Sequence, residues 1–565
     1  MDYKKLIAEK LSDLIELSSE KIEDMLEIPA KSEMGDFALP CFKLSKVMRK
    51  APNMISDMLC KQLVADENIQ KIQSVNGYLN FYLNKENAGA QVLSKILDEG
   101  EKYAGSSAGA GKTICLDYSS INIARPMHIG HLSTTVIGHS LNRIFKHLGY
   151  KTVSINHLGD WGTQFGKLIV AFKRYSSKDQ VDEIGIAELT RIYVKYHEDA
   201  EKDEAMDDIA RAWFKKIEDG DKEALELFEY FKEITIKEIN KTYDLMDIKF
   251  DSYNGEAFYQ DKMGPIIKEL EEKNLLVEDQ GAKVVMLDDY SMPPCMILKK
   301  DGATLYSTRD ITAAQYRKDT YDFDKCIYIT AYQQDLHFKQ FFKVIELMGK
   351  DYYKDLVHVN YGFVSLPEGA MSTRRGNVVY LKDLLEKAVE KSEAIIEEKN
   401  PELENKKEVS SMVGIGSVIF AALKNNRIKD MVFSWDSALS FEGETAPYVQ
   451  YTHARCSSVL AKAEISLDGD ADYSTLDNEY ASKVITLLRD FPEVVQNAAE
   501  RYEPSFITRH IIEVAKAFNK YYFEQRIIDN DGDEKVRARL ILAECTKQVI
   551  KTGLYLIGVK APDKM

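Results

Sequence analysis

The sequence predicts a multidomain α/β protein whose largest domain is a Rossmann-type, doubly wound domain with a helical insertion. With 565 residues, the chain is too long for one hydrophobic core and indicates three to four domains. Between residues 111 and 380, short apolar segments alternate with helical patterns, which is typical of a parallel sheet. An α+β module is expected before this domain, and an all-α bundle after it.

Residues 1–110 are predicted to form the N-terminal α+β module. Its first 26 residues have the pattern of an acidic amphipathic helix. A half-buried strand is predicted where apolar residues alternate with polar or aromatic ones: Leu79, Phe81 and Leu83 against Tyr78, Asn80 and Tyr82. Residues 105–111, GSSAGAG, are small and read as a flexible linker.

The Rossmann domain is predicted over residues 111–380. Its candidate strands are 113–118 (TICLDY), 151–156 (KTVSIN), 326–330 (CIYIT) and 356–361 (LVHVNY). Charged, mostly helical sequence between about 175 and 280 reads as an insertion rather than as part of the sheet.

Helical spacing dominates the rest of the chain, with a connector predicted over 381–450 and an α-helical bundle over 451–565. Two apolar stripes recur at helical spacing: Ile507, Ile511, Val514 and Phe518, and then Leu542, Cys545, Val549 and Leu556. We interpret both stripes as core seams of the bundle.

Composition limits the class of protein without deciding its partners. The net charge is −16, but residues 451–565 carry 16 basic and 18 acidic residues, a balance of −2. Nucleic acid binding follows local patches, so the total charge does not exclude it. The seven cysteines are scattered without a CxxC pair, which predicts reduced thiols and no structural metal. No long apolar run is present, so a cytoplasmic protein without a membrane partner is expected.

A nucleotide site is indicated by His128-Ile129-Gly130-His131, which lies between a predicted strand and a helix. Two imidazoles one helical turn apart can donate hydrogen bonds to phosphate oxygens, and a helix N-terminus favours anions. Gly130 allows an adenine to lie against bare backbone. On its own an HxGH sequence can also arise by chance.

A second element, Met371-Ser372-Thr373-Arg374-Arg375-Gly376, is a basic loop about 240 residues later. Basic loops are usually solvated surface, so this one gains meaning only from its pairing with HxGH. In a doubly wound sheet both loops can reach the carboxyl ends of the strands and meet at one triphosphate.

These motifs resemble those of the class I arginyl-tRNA synthetases. The resemblance spans nearly the whole chain and six ordered motifs: SSINIARP leading into MHIGHL, NHLGDWGTQFG at 156–166, DGATLYSTRD at 301–310, QQDLHFKQ at 333–340, AMSTRRGNVVYL at 370–381, and the run 424–455. It implies ATP-dependent activation of L-arginine and its transfer to tRNA(Arg), with tRNA needed for activation. It also implies ATP with Mg²⁺ as the substrate complex, and we expect a monomer. By the same resemblance, the connector over 381–450 is expected to contact the tRNA stem, and the bundle over 451–565 is expected to bind the anticodon.

The resemblance assigns roles by position. His128, His131, Arg374, Arg375 and Arg125 are expected to act in catalysis. The expected ATP-binding residues are His128, Gly130, His131, His337, Met371, Ser372 and Thr373. The expected arginine-binding residues are Asp117, Ser119, Asn122, His128, Tyr306, Asp310 and Gln334. A guanidinium offers five donors in a planar fork, which a carboxylate with further acceptor oxygens fits well.

Some of these positions have simpler interpretations that stay open. Asp310 could cap a helix or pair with Arg309, and His337 could be a core histidine. Tyr78 and Asn80 match the family position that reads a base in the tRNA D-loop, but they could equally lie on a solvent-facing strand.

The sequence departs from the common family pattern at Ile121, Ser133, Ala446 and Ala370. Ala370 replaces a lysine that often opens the second loop, and Arg125, just before HxGH, is expected to compensate. Two rival functions remain: a class I synthetase for another amino acid, and a paralogue that binds tRNA without charging it. Cysteine specificity would require a zinc site, which the cysteine spacing disfavours.

Overall fold

Residues 3–29, 31–66, 68–300, 302–365 and 379–565 are described in a computed structural model. The chain divides into two units: Met1–Tyr103, Arg455–Phe491 and Glu513–Val549 form the first, and Ala104–Ala454, Pro492–Ile512 and Ile550–Met565 form the second. The predicted bundle over 451–565 therefore contributes to both.

The strands are β1 (Phe37–Pro40), β2 (Ile69–Val75), β3 (Tyr78–Leu83), β4 (Thr113–Asp117), β5 (Lys151–Ile155), β6 (Val277–Asp279), β7 (Ala282–Val285), β8 (Cys295–Leu298), β9 (Lys325–Ala331), β10 (Leu356–Tyr361), β11 (Val364–Ser365) and β12 (Met431–Val432). The helices are α1 (Tyr3–Ser12), α2 (Ser19–Glu23), α3 (Ser45–Met48), α4 (Pro52–Gln62), α5 (Lys85–Glu99), α6 (Leu132–His147), α7 (Thr163–Tyr175), α8 (Lys178–Ile184), α9 (Ile186–Ala200), α10 (Ala205–Glu218), α11 (Lys222–Leu245), α12 (Met263–Glu272), α13 (Tyr306–Tyr321), α14 (Asp335–Leu347), α15 (Leu381–Lys399), α16 (Lys406–Leu423), α17 (Trp435–Ala438), α18 (Ala446–Lys462), α19 (Glu479–Glu500), α20 (Ser505–Glu524) and α21 (Asp533–Leu556).

The four predicted strands of the Rossmann domain form one parallel sheet in the order β10-β9-β4-β5. The chain leaves β4 through α6 toward β5, whereas β9 lies on the other side of β4. A crevice therefore opens at the carboxyl ends of β4 and β9, where doubly wound folds bind their ligands. The predicted fold class is confirmed.

Between β5 and β9 the chain forms α7 and then helices α8 to α12, which fall in the range about 175–280 where a helical insertion was predicted. It then forms a three-stranded antiparallel sheet, β6-β7-β8, which the sequence analysis did not predict. These strands span three to four residues each, and β6 is fully exposed, so a period-two pattern has too few residues to show.

In the first unit, β1, β3 and β2 form an antiparallel sheet, and β3 coincides with the predicted strand. Asn76 and Gly77 join β2 to β3 with φ of 49° and 81°. Two successive left-handed residues make the type of hairpin turn that Asn-Gly favours. The apolar face of β3 joins the core through Leu79, Phe81 and Leu83, which are at most 2% exposed.

Both predicted stripes of the C-terminal bundle are buried: Ile507, Ile511, Val514, Phe518, Leu542, Cys545, Val549 and Leu556 are all 0% exposed. They lie on α20 and α21. Across the described residues, no helix combines the length and the apolar character that crossing a bilayer requires.

Candidate active site

The loop that leaves β4 carries three non-glycine residues in the left-handed region: Ser119, Ser120 and Ala124, with φ of 73°, 43° and 60°. Such residues need support from their surroundings. Ser119 receives it from the protein interior: its N–H donates to Thr134 at 3.0 Å, and its hydroxyl lies 2.7 Å from that of Tyr243. Ser119 is 2% exposed, so its side chain does not face the crevice.

The HxGH segment forms a short turn at the start of α6 and ties both imidazoles to backbone. Nδ1 of His128 accepts a hydrogen bond from Gly130 N–H at 3.1 Å, and Nδ1 of His131 accepts one from His128 N–H at 3.2 Å. A neutral imidazole with an accepting Nδ1 carries its proton on Nε2. Burial lowers the pKa of both rings, that of His131 to about 3. At neutral pH the turn therefore offers two uncharged Nε2–H donors.

The second loop falls in residues 366–378, so Met371, Ser372, Thr373, Arg374 and Arg375 lie outside the described residues. The chain that follows them pairs directly with the HxGH turn. Ile129 N–H donates to Val379 O at 3.1 Å, and Leu381 N–H donates to Met127 O at 2.9 Å. Residues 379–381, which follow the loop, thus lie beside the HxGH turn.

A cavity of about 200 Å³ lies beside the loop after β4. Asn122, Arg125 and Tyr306, all predicted site residues, line it together. Gln164 of α7 and Tyr193 of α9 also line it, and neither was predicted. Gln164 stands in the NHLGDWGTQFG motif, so a signal existed for it. Tyr193 lies in the insertion, where no motif marked it.

Asn122 is held by the NHLGDWGTQFG segment. Gly159 N–H donates to Ile121 O at 2.9 Å, and Ile123 N–H donates to Gly159 O at 3.2 Å. A Cβ atom at position 159 would lie 2.0 Å from Oδ1 of Asn122, so only glycine fits.

Tyr306 and Asp310 lie one turn apart on α13, on one face of the helix. Tyr306 is 67% exposed, and Gln334 is also exposed. Nε2 of His337 donates to Oδ2 of Asp310 at 2.5 Å. Burial raises the pKa of the Asp310 carboxyl, but the bond from His337 and the positive charges nearby together hold the pKa below its ordinary value. Asp310 is thus neither a helix cap nor the partner of Arg309.

Asp117 lies at the carboxyl end of β4 and uses both carboxylate oxygens within the protein. Nη2 of Arg317 donates to Oδ2 at 2.7 Å, and the Ser120 hydroxyl donates to Oδ1 at 3.1 Å. The ion pair is buried, with Arg317 1% exposed. Arg317 and Ser120 were not predicted. The contact of Arg317 spans 200 residues and leaves no local pattern, whereas Ser120 stands three residues from Asp117.

Behind Tyr306 lies a second buried ion pair, between Nη1 of Arg309 and Oε2 of Glu256 at 2.9 Å. The guanidinium carbon of Arg309 lies 5.6 Å from the centre of the Tyr306 ring. Burial raises the pKa of Glu256 to about 7, although Arg309 opposes the shift. The exposed Tyr306 ring is thus in cation–π contact with an arginine that Glu256 holds in place.

The two residues predicted to contact tRNA lie on one face of β3, in the first unit. Tyr78 is half-buried, with its ring centre 5.0 Å from that of Phe42. Asn80 is 1% exposed, and its amide atoms have no hydrogen-bond partner among the described residues. This face of β3 is thus largely buried, which differs from the solvent-facing strand that the sequence allowed as an alternative.

All seven cysteines are unpaired thiols. In the part of the chain that the structure describes, no three His, Cys, Asp or Glu side chains are grouped as a metal site requires.

Three family models match the chain: "Arginyl tRNA synthetase N terminal domain" over residues 1–83, "tRNA synthetases class I (R), catalytic domain" over 92–435, and "DALR anticodon binding domain" over 449–565. Among curated proteins, the arginine–tRNA ligases of Alkaliphilus metalliredigens and Clostridioides difficile are 50% and 51% identical to it, over the full length of both chains in each case.

Solved structures agree at the level of the fold. The arginyl-tRNA synthetase of Thermus thermophilus matches with a TM-score of 0.81 at 24% identity, covering 100% of this chain and 99% of its own. That of Plasmodium falciparum matches with a TM-score of 0.78 at 23% identity, covering 96% and 94%.

Proposed function

The chain belongs to the class I arginyl-tRNA synthetase family, and from that premise we propose how its own residues carry out the reaction. That reaction joins arginine to tRNA(Arg). The rival specificity and the silent paralogue are both set aside by full-length relatives at 50% identity. The observation that carries the mechanism is the tied HxGH turn, because it fixes which nitrogen of each imidazole faces outward.

In the first step the carboxylate of arginine attacks the α-phosphorus of ATP, and pyrophosphate leaves. Catalysis of this kind rests on positioning and on stabilising negative charge. We assign the Nε2–H groups of His128 and His131 to phosphate oxygens. A lowered pKa keeps both imidazoles uncharged at neutral pH, so they act as hydrogen-bond donors rather than as cations. We assign the positive charge that stabilises the phosphates to Arg125, Arg374 and Arg375.

Mg²⁺ would enter as part of the ATP substrate complex. This ion commonly binds substrate phosphates and water rather than an all-protein cage. The ion would therefore be held by the phosphates of ATP, and the protein would hold it only through the residues that bind those phosphates.

Arginine recognition is assigned to the α13 face and the cavity beside it. Asp310 and Gln334 offer acceptor oxygens to the guanidinium, and Tyr306 lies one turn from Asp310. His337 was expected near the adenosine; its contact with Asp310 supports a role in orienting this carboxylate. On the α-amino side, we assign Asn122 and Ser120 rather than Ser119, because the Ser119 hydroxyl is occupied in the interior.

Asp310→Ala tests this assignment. Removing a charged, hydrogen-bonded partner costs about 2–5 kcal/mol, so the KM for arginine should rise about 30- to 3,000-fold. The KM for ATP should hardly change. Asp319→Ala removes an exposed carboxylate from the same helix and serves as the control, with no expected effect. An unchanged KM for arginine in Asp310→Ala would show that the guanidinium binds elsewhere.

The remaining assignments concern the whole reaction. We propose that tRNA must be bound before arginine is activated, that the enzyme acts as a monomer, and that it is cytoplasmic. Labelled pyrophosphate should enter ATP in the presence of arginine only when tRNA(Arg) is added. Exchange without tRNA would contradict the first proposal, and a sedimentation mass near twice 64.4 kDa would contradict the second.

A further inference from the structure

Arg125 holds an unusual position for a cation. It stands three residues before His128, and its side chain is exposed at the cavity of about 200 Å³. Among the described residues, no carboxylate lies within ion-pairing distance of its guanidinium. Its positive charge is close enough to His128 to lower the pKa of that imidazole further than burial alone. The charge is thus held near the histidines without being neutralised.

The contact that orients this guanidinium comes from the insertion. The guanidinium carbon of Arg125 lies 5.7 Å from the centre of the Tyr193 ring, within the range of cation–π attraction. Tyr193 lies on α9 and lines the same cavity as Asn122 and Tyr306. Its ring is held in turn by His197, one turn along the helix, with ring centres 4.7 Å apart and an angle of 73°.

We propose that Tyr193 is a positioning residue for arginine activation, holding the guanidinium of Arg125 near the HxGH turn, to which the phosphates of ATP are assigned. The inference rests on the proposed function of Arg125 as a phosphate-binding cation. A free arginine side chain samples many rotamers, and ordering it during the reaction costs free energy. A ring that restricts the guanidinium beforehand removes part of that cost from the activation step.

The test measures arginine activation by the full-length enzyme with tRNA and ATP at saturation and arginine varied, for Tyr193→Leu, Tyr193→Phe, Arg125→Ala and the Arg125→Ala/Tyr193→Leu double variant. Tyr193→Leu should lower kcat by about 2- to 30-fold, the range that a cation–π contact spans. The KM for arginine should stay unchanged. Tyr193→Phe keeps the ring face and should retain the wild-type rate.

The double variant separates positioning from a merely structural role. If Tyr193 acts through Arg125, Tyr193→Leu should cause no further loss once Arg125 is alanine. Tyr230→Leu is the matched control, since it removes a cation–π contact with Lys178 elsewhere in the insertion, and its rate should equal that of the wild type.

Three results would overturn the inference: additive losses in the double variant, a loss in Tyr193→Phe equal to that in Tyr193→Leu, or a raised KM for arginine in Tyr193→Leu. An unchanged rate in Arg125→Ala would instead overturn the role of Arg125 itself, and the inference with it. A loss in Arg125→Ala without one in Tyr193→Leu would leave that role standing and overturn only the inference.

Discussion

The imidazole of His128 leaves no space for a side chain at position 130. A Cβ atom there would lie 2.8 Å from Cε1 and 2.9 Å from Nδ1 of His128. Gly130→Ala should therefore turn the His128 ring away and break its bond to the backbone. Since small misplacements of catalytic groups cost large factors in rate, adenylate formation in a single turnover should slow by about 10- to 100-fold.

Gly264→Ala is the matched control for this substitution. Nothing lies within 4 Å of a Cβ atom built at Gly264, which is in the first turn of α12. Its adenylation rate should equal that of the wild type. A wild-type rate in Gly130→Ala as well would show that the ring orientation of His128 does not matter for the phosphates.

The raised pKa of Glu256 predicts that the free energy of unfolding depends on pH. Burial raises its folded-state pKa from an ordinary value of 4.5 to about 7. The protonated form is thus favoured on folding, so this contribution is fully present below pH 4.5 and is lost as the pH rises through about 7. Glu256→Gln, which stays neutral, should lose less stability than the wild type between pH 5 and pH 8.

The measurement is the urea midpoint of each protein at several pH values. The urea midpoint of Glu256→Gln relative to that of the wild type should increase with pH and level off above about pH 8. Profiles that run parallel from pH 5 to pH 8 would contradict the prediction, because Glu256 would then not titrate differently in the folded state.

At the residue scale, the sequence predicted which positions are special better than where their side chains point. Asn122, Arg125 and Tyr306 line one cavity as their motifs suggested. Ser119 is turned inward while Ser120 meets Asp117, because consecutive left-handed residues in this loop redirect neighbouring side chains. A motif gives the order of residues along the chain and cannot give these dihedral angles.

Among the elements, periodicity was informative wherever a strand or helix is long and buried. The four parallel strands and the two bundle stripes follow from it. The stretch 105–111 was predicted to be a flexible linker, but Gly109 N–H donates to Leu148 O at 3.0 Å, and a Cβ atom there would lie 2.3 Å from the Tyr150 ring. Its small residues serve close packing in this case, which composition alone cannot distinguish from flexibility.

Helix α6, which begins at the HxGH turn, is tied at its other end to the C-terminal segment. The Ser140 hydroxyl donates to Leu556 O at 2.9 Å, and Nη1 of Arg143 donates to Tyr555 O at 2.9 Å. Nη2 of Arg143 also donates to Asp247 at 2.9 Å. Arg143→Met should remove both guanidinium bonds, so amide hydrogens at the end of α6 and around residue 555 should exchange faster.

Hydrogen exchange is the suitable measurement here, because it reports local opening at the end of α6 and around residue 555 rather than unfolding of the whole chain. Arg211→Met is the control: it removes an exposed ion pair with Asp208 on α10, of a kind that contributes little. Unchanged exchange near Tyr555 in Arg143→Met would show that the packing of α6, and not this arginine, holds the segment.

For the molecule as a whole, the change in hydrophobic spacing along the sequence and the grouping of residues in space divide the chain at different places. The predicted boundary at residue 451 follows the change to helical spacing. By contrast, Pro492–Ile512 and Ile550–Met565 group with the Rossmann domain, whereas the rest of the bundle groups with Met1–Tyr103. Such a division depends on contacts between residues far apart in the chain, and a single sequence does not reveal those contacts.

A chain cut after residue 450 should therefore fail to fold rather than yield an isolated catalytic domain. The second unit would lose Glu503, which accepts a bond from Nη1 of Arg427 at 3.2 Å, and Lys560 O, which accepts one from Gln450 at 2.7 Å. It would also expose apolar surface that Ile507 and Val559 now cover at 0% and 2% exposure. The near-UV circular dichroism spectrum of residues 1–450 should lack the aromatic signals of fixed packing that the full-length chain, as the reference, shows. A sharp native-like spectrum and measurable arginine activation by the fragment would show that the C-terminal segments are dispensable for the fold of the catalytic unit.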